Sequence, residues 1–236
     1  MVMDGDRGER WDYTVSYENK LENQRALEER EYRGVKEKYY QGRRMIARDT
    51  PINGGVYVCM DSQGQVEAVV VDDKTQKELD EVYKRLLSRS QSNMAAARKG
   101  FKRVILKDVF ELVQEELPYD LERSTTLASE DMRIGRKIAL EVFVGHKAGV
   151  CRHQALLAAY LLERLKKERR INPKSVSVDR NYKEGLGHCW VRYTNSVGDV
   201  FIIDPAMRFF GKLDDENKPW GYERPEDLAR RVRIKV

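Results

Sequence analysis

Residues 149–170 read GVCRHQALLAAYLLERLKKERR, and this stretch predicts a helix that begins at a cysteine. Small and aliphatic side chains recur at spacings of three and four, so they share one helical face: Ala155, Ala158, Ala159, Leu162 and Leu165. Cys151 opens the same face. Arginines end the run, and Pro173 follows as a stop signal. We therefore expect Cys151 in the first turn of a helix of about four or five turns, where free N–H groups and the helix dipole favour a thiolate.

Residues 187–206 read GHCWVRYTNSVGDVFIIDPA and predict a β-hairpin. The segments 189–193 and 199–203 have strand composition, and the residues between them favour a turn. If the hairpin folds about Ser196, His188 lies directly opposite Asp204 on the same face, with Cβ atoms about 4.5–5.5 Å apart. A register shift of one residue would place the two side chains on opposite faces.

Together Cys151, His188 and Asp204 predict a catalytic triad: a thiol nucleophile, its base, and a carboxylate that orients the base. Each residue alone has an ordinary structural explanation. The cysteine could be a small buried hydrophobe, the histidine a core residue and the aspartate a cap on the following turn. Their joint placement, at a helix start and on two paired strands, favours the catalytic interpretation.

The motifs Gly149-Val150-Cys151, Gly187 to Val191 (GHCWV) and Asp204-Pro205 resemble those of the transglutaminase-like superfamily, a branch of the papain-like cysteine enzymes. The resemblance covers residues 149–206, about a quarter of the chain. The chain departs from the common pattern after the cysteine, where it has Arg152-His153. That start is similar to the one in transglutaminase-like domains of regulatory proteins. The resemblance implies an α+β fold with a papain-like core, in which helices pack on an antiparallel sheet, and a catalytic domain over residues 51–236.

The resemblance also implies a mechanism. The Cys151 thiolate attacks a carboxamide carbon, His188 protonates the leaving amine, and an amine or water resolves the thioester. The Cys151 backbone N–H is one oxyanion donor, and the second is unassigned. Trp190 shares the face of His188 and could shield the thioester, although a core aromatic residue is the simpler interpretation. His146 could line the cleft, although a surface loop is the simpler place for it.

The implied function is that of an acyltransferase or hydrolase acting on Gln or peptide amides of proteins. A cysteine peptidase or a glutamine deamidase would use the same chemistry. A catalytically silent domain that binds protein partners through the same cleft is the alternative from a different functional class. Protein or peptide substrates are therefore the expected partners, and the oligomeric state stays open.

The remaining sequence predicts an N-terminal helical extension over residues 1–50, which are rich in Glu, Lys, Arg and Tyr. A hairpin is expected over 56–72, helices over 75–99 and 104–117, and a third helix from Ser129. Residues 120–129 and 171–186 read as polar connections. A short helix is expected from Pro225, and a basic edge strand over 232–236.

Composition excludes several classes of function. The chain of 236 residues is 35% charged and has no apolar run of transmembrane length and no secretory signal pattern. Its three cysteines have no paired spacing, so we expect free thiols in a cytoplasmic protein. The net charge of +5 comes without a nucleic-acid-binding motif, so nucleic acid is not an expected partner.

A metal site is a further candidate, because five potential ligands occur within residues 146–189: His146, Cys151, His153, His188 and Cys189. Residues two apart on a helix point in different directions, and neighbours on a strand point to opposite faces. The five side chains therefore cannot share one centre, and we expect neither a metal nor another cofactor.

Overall fold

The computed structural model describes residues 10–11, 27–32, 35–60, 65–97, 105–183 and 186–227. Within these ranges the helices are α1 (Lys77–Ala97), α2 (Ile105–Glu116), α3 (Leu121–Arg133), α4 (Leu140–Gly145) and α5 (Cys151–Lys167). The strands are β1 (Arg10–Trp11), β2 (Leu27–Tyr32), β3 (Val35–Tyr40), β4 (Arg43–Arg44), β5 (Gly55–Met60), β6 (Val66–Val71), β7 (Ile138–Ala139), β8 (Pro173–Lys183), β9 (Leu186–Asn195), β10 (Val200–Asp204) and β11 (Phe209–Lys212).

The strands form three sheets, and the fold is of the α+β class, as predicted. The largest sheet is antiparallel throughout, with the strand order β1-β8-β9-β10-β11. A second sheet contains β2, β3 and β4, and a third contains β5, β6 and β7. In the third sheet β7 runs parallel to β6, so this small sheet is mixed.

Helix α5 lies at the centre of the main core. It packs against β8, β9 and β10 on one side and against α2 and α4 on the other. Its side chains from Ala155 to Leu162 are all fully buried. A helix that is apolar around its whole circumference must be covered on every side, and the small side chains at 155, 158 and 159 let the neighbouring elements approach closely. The predicted cysteine helix is therefore confirmed, with Cys151 as its first residue.

The predicted helical extension is wrong where the structure describes it. Residues 27–32 and 35–40 form an antiparallel pair, and the remaining parts of 1–26 lie outside the described residues apart from β1. Charges of opposite sign face each other across the pair, as in the contact between Glu29 and Lys36 at 2.8 Å. Tyr40 is buried against Val56 and Val58. Cross-strand charge pairs and a buried tyrosine stabilise a strand, whereas Glu, Lys and Arg alone suggested a helix.

The predicted helices over 75–99 and 104–117 are confirmed by α1 and α2, and the hairpin over 56–72 by β5 and β6. The third helix, predicted from Ser129 onward through Phe143, is wrong at both ends: α3 starts at Leu121 and stops at Arg133, and the apolar residues that follow lie in β7 and α4. Asp120 caps α3, because its carboxylate accepts a hydrogen bond from the backbone N–H of Arg123 at 2.9 Å. The polar residues that follow were taken for a connection, although they form the exposed face of this helix.

The predicted connection over 171–186 is also wrong, because β8 occupies most of it and lies between β1 and β9. Its buried polar side chains concealed the strand pattern. Ser177, Asp179, Arg180 and Asn181 are all nearly inaccessible to solvent. Pro225 starts a helical turn as predicted, and the strand predicted over 232–236 lies outside the described residues.

Candidate active site

Backbone hydrogen bonds to the segment after α2 fix the position of Gly149, which lies just before α5. The N–H of Asp120 donates to the carbonyl of Gly149 at 2.8 Å, and the N–H of Gly149 donates to the carbonyl of Pro118 at 3.1 Å. A Cβ atom at position 149 would lie 2.9 Å from Leu117 Cγ, so a glycine is required for this approach. This packing determines where Cys151, two residues later, presents its partly exposed thiol.

His188 and Asp204 lie on the neighbouring strands β9 and β10. Ile203 pairs with Val191, so the hairpin folds about Val197 and the register predicted about Ser196 is wrong by two residues. A shift of two keeps every side chain on its face. His188 is therefore a diagonal neighbour of Asp204 instead of its direct partner, and its Nε2 lies 2.5 Å from Asp204 Oδ2.

The Asp204 carboxylate is completely buried and has two partners. Oδ2 contacts His188, and Oδ1 accepts a hydrogen bond from the backbone N–H of Met207 at 3.1 Å. The turn that follows β10 therefore holds the carboxylate in one orientation. Because Nε2 of His188 is bound to Asp204, Nδ1 is the ring nitrogen that remains for the thiol.

The electrostatics of His188 link it to both other residues. Burial lowers the pKa of His188, but hydrogen bonds to Asp204 and Cys151 and the charges of these two groups outweigh burial and raise the pKa to about 9. At neutral pH the ring is therefore an imidazolium between a carboxylate and a sulfur atom. A neighbouring positive charge favours the thiolate form of a cysteine. The structure thus brings the three predicted residues together.

Three aromatic rings surround the imidazole. The His188 ring centroid is 5.8 Å from that of Trp190, 5.4 Å from Tyr222 and 6.5 Å from Trp220. Trp190 and Trp220 are almost fully buried. The sequence placed Trp190 on the face of His188, but Trp220 and Tyr222 were missed, because they occur in a polar segment with no periodicity. The motif WGY in that segment was the available signal.

Residues 220–227, here called the C-terminal strap, are bound to the sheet by buried ion pairs. The guanidinium of Arg224 donates to Asp179 at 2.6 and 2.7 Å and to Asp49 at 3.1 Å. The guanidinium of Arg192 donates to both oxygens of Asp227, at 2.7 and 2.9 Å. These bidentate contacts fix the part of the chain that covers His188.

The Arg152-His153 pair after the cysteine binds a second buried carboxylate, Glu67 on β6. Arg152 Nε donates to Glu67 Oε2, and His153 Nε2 lies 3.2 Å from Glu67 Oε1. His153 Nδ1 accepts the backbone N–H of Val150 at 3.1 Å, so the ring proton must be on Nε2. Burial lowers the pKa of His153 more than Glu67 raises it. His153 is therefore a neutral residue that fixes the start of α5.

The buried carboxylate of Glu67 is ionised. Although burial raises the pKa of Glu67, the Arg152 guanidinium and then His153 hold that pKa well below its usual range. Cys59 adds a third contact by donating its thiol proton to Glu67 Oε2 at 3.2 Å. Burial raises the pKa of the Cys59 thiol, which disfavours the nucleophilic thiolate form.

The remaining residues considered from the sequence are His146 and Cys189. His146 is exposed, and its Nδ1 is 2.8 Å from the carbonyl of Val142 in the last turn of α4, so its place in the cleft stays a prediction. Cys189 is buried, and burial raises the pKa of its thiol. Across the described ranges, no group of three or more His, Cys, Asp or Glu side chains could hold a metal ion.

Comparison of the chain with protein-family models, with curated proteins and with solved structures finds no match. Among the helices that the structure describes, none combines the length and the apolar character needed to cross a bilayer.

Proposed function

We propose that this protein is a transglutaminase-like cysteine acyltransferase or hydrolase that acts on Gln or peptide amides of proteins. The observation that carries the proposal is the 2.5 Å contact between His188 and Asp204, together with the electrostatic interaction of His188 with a cysteine at the first residue of a helix. The α+β architecture and the order of the three residues along the chain support the same family. Three free cysteines among the described residues support a reducing, cytoplasmic environment.

In the proposed reaction the Cys151 thiolate attacks the carbon of a carboxamide, and the carbonyl electrons move onto oxygen. Cys151 is the first helical residue, so its backbone N–H has no acceptor within the helix and can stabilise the oxyanion. The C–N bond then breaks as His188 transfers its proton to the leaving amine. An amine or a water molecule attacks the resulting thioester, gives its proton back to His188, and releases the thiolate.

The aromatic rings around His188 bear on the second half of this reaction. Trp190, Trp220 and Tyr222 cover the imidazole and reduce the access of water from that side. Exclusion of water favours an amine as the second nucleophile, and hence transamidation over hydrolysis.

The decisive test is the rate at which iodoacetamide alkylates Cys151 between pH 5 and pH 9, followed by mass spectrometry of each cysteine. We expect Cys151 to react about 10²-fold faster at pH 6 than an ordinary thiol. The His188→Ala variant should lose this advantage, while His146→Ala, which removes an exposed histidine outside the triad, should keep it. Cys59 and Cys189, which are buried, serve as unreactive internal controls.

Equal rates in the wild-type protein and the His188→Ala variant would contradict the proposal and favour a silent binding domain. Once activation is established, incorporation of a fluorescent amine into a glutamine-rich protein identifies transamidation. A one-dalton mass increase identifies deamidation, and chain cleavage identifies a peptidase. The Cys151→Ala variant is the blank for all three measurements.

A further inference from the structure

A groove of about 460 Å³ lies beside the triad. One wall is Gln114 of α2 and the segment that follows this helix, and the other is the turn after Asp204. Gln154, one helical turn beyond Cys151 on α5, also lines the groove, as does Pro205, which directly follows Asp204. A chain bound in this groove would therefore pass next to the thiol.

Tyr119 provides a second link between the groove and the nucleophile. Its backbone pairs with Gly149, two residues before Cys151, and its side chain is 56% exposed in the groove wall. Partial burial raises the pKa of Tyr119, and the charge of Cys151 raises it further. An exposed aromatic ring at this position offers a surface on which a bound chain can pack.

Gln154, which lines the groove, has a buried hydrogen-bond acceptor without a donor. The amide nitrogen of Gln154 donates to the carbonyl of Leu117 at 2.7 Å, but Gln154 Oε1 is buried and has no partner among the described residues. A buried carbonyl oxygen without a donor is costly, and a backbone N–H of a bound peptide would satisfy it. The groove is thus suited to a ligand that carries amide donors.

Arg208 is the one charged residue among those that line the groove. It is exposed, and its backbone has a φ of 53°, held by a hydrogen bond from its N–H to the carbonyl of Pro205 at 3.3 Å. Unlike Arg192 and Arg224, whose guanidinium groups are paired with carboxylates, Arg208 makes no ion pair within the described part of the chain. A guanidinium without a partner, in a groove with no acidic side chain, complements a carboxylate.

From these observations we infer that the groove binds an extended peptide segment of the substrate, with an Asp or Glu side chain close to the target amide and paired with Arg208. This inference rests on the proposed function, because the bound amide must reach Cys151. It assigns specificity to Arg208, which takes no part in the chemistry itself.

The test uses two synthetic peptides that carry the same thiol-reactive acrylamide in place of the target amide. One peptide has Glu on both sides of the acrylamide, and the other has Lys. With limiting peptide, the wild-type protein should label Cys151 about tenfold faster with the Glu peptide, since one charged hydrogen-bonded contact contributes roughly 1.5 kcal/mol. The Arg208→Glu variant should lose or reverse this preference.

Arg169→Glu is the matched control. Arg169 is also an exposed arginine with a positive φ, 57°, and makes no ion pair among the described residues, but it follows the far end of α5, about 25 Å from Cys151. This variant has the same change in net charge and should keep the preference for the Glu peptide. A loss of preference in both variants would mean that net charge, not the groove, selects the peptide, and would overturn the inference.

The iodoacetamide rate separates the two proposals. If iodoacetamide shows an activated Cys151 but the two peptides label it equally, the groove assignment fails and the proposed function stands. If iodoacetamide shows no dependence on His188, the proposed function fails, and the groove assignment fails with it.

Discussion

The molecule contains two buried histidine–carboxylate pairs, and they have opposite properties. His188 contacts Asp204 and has a pKa raised to about 9, whereas His153 contacts Glu67 and has a lowered pKa. Both carboxylates are almost completely buried. Burial of the acid and contact with the ring therefore do not decide which histidine is charged.

The difference lies in what else each pair contacts. The charge of Glu67 is already balanced by Arg152, and His153 uses its second nitrogen to accept a backbone N–H, which requires the neutral ring. Within the described part of the chain, His188 is the one cation that contacts Asp204, and the second ring nitrogen of His188 remains for a thiol. A histidine–carboxylate pair can thus serve catalysis or structure, and the partner of the second nitrogen distinguishes the two.

The largest expected effect comes from removing the charge of the catalytic carboxylate. Asp204→Asn keeps an oxygen for the Met207 N–H but no longer stabilises the imidazolium, so turnover should fall by about 10³-fold. The advantage of Cys151 in alkylation by iodoacetamide at pH 6 should disappear as well, with the midpoint of thermal unfolding changing by only a few degrees. If the pH dependence of alkylation were unchanged in this variant, Asp204 would not be what keeps His188 charged, and the contrast with the His153–Glu67 pair would fail.

The corresponding change in the other pair should affect stability more than reactivity. Glu67→Gln leaves the largely buried Arg152 without its counter-charge, so the free energy of unfolding should fall by about 3 kcal/mol. Glu122→Gln, at an exposed site in the first turn of α3, is the control and should change the same quantity by less than about 0.5 kcal/mol. Urea unfolding measures both. A loss of Cys151 reactivity as large as that in Asp204→Asn would mean that Glu67 belongs to the catalytic group.

The sharpest contrast between the two pairs is in the pH dependence of the free energy of unfolding. The pKa of His188 rises from 6.5 in the unfolded chain to about 9 in the folded protein. The stabilisation that this residue contributes to the folded state is therefore fully present below pH 6.5 and is lost as the pH rises through 9. The pKa of His153 falls below 6.5 on folding, so its contribution is present above pH 6.5 and is lost as the pH falls.

The free energy of unfolding, measured in urea between pH 5 and pH 9.5, should therefore decrease toward each end of this range. His188→Gln should remove the alkaline loss, and His153→Gln should remove the acidic one. If both variants changed the same side of the curve of stability against pH, the contrast between His188 and His153 would be refuted.

Much of the site was predictable because the helical period of 3.6 residues and the strand period of two residues determine which side chains share a face. The spacing of apolar residues after Cys151 specifies a helix that starts there. The alternation along the hairpin keeps His188 and Asp204 on one face even though the predicted register was wrong by two residues. Strand β8, predicted as a connection, and the start of α3 at Leu121 were missed. Buried ion pairs in β8 and the cap at Asp120 determine these two elements, and neither follows from a periodicity of apolar residues.

The C-terminal strap has a consequence for how the molecule can be divided. The sequence motifs end at residue 206, yet Trp220 and Tyr222 enclose the imidazole, and Arg224 joins this cover to Asp49, which precedes β5. A shortened protein limited to residues 149–206 would keep all three reacting groups and lose the enclosure that shields one of them. Completeness of the triad and completeness of the site are therefore separate properties, and the second depends on residues on both sides of the segment 149–206.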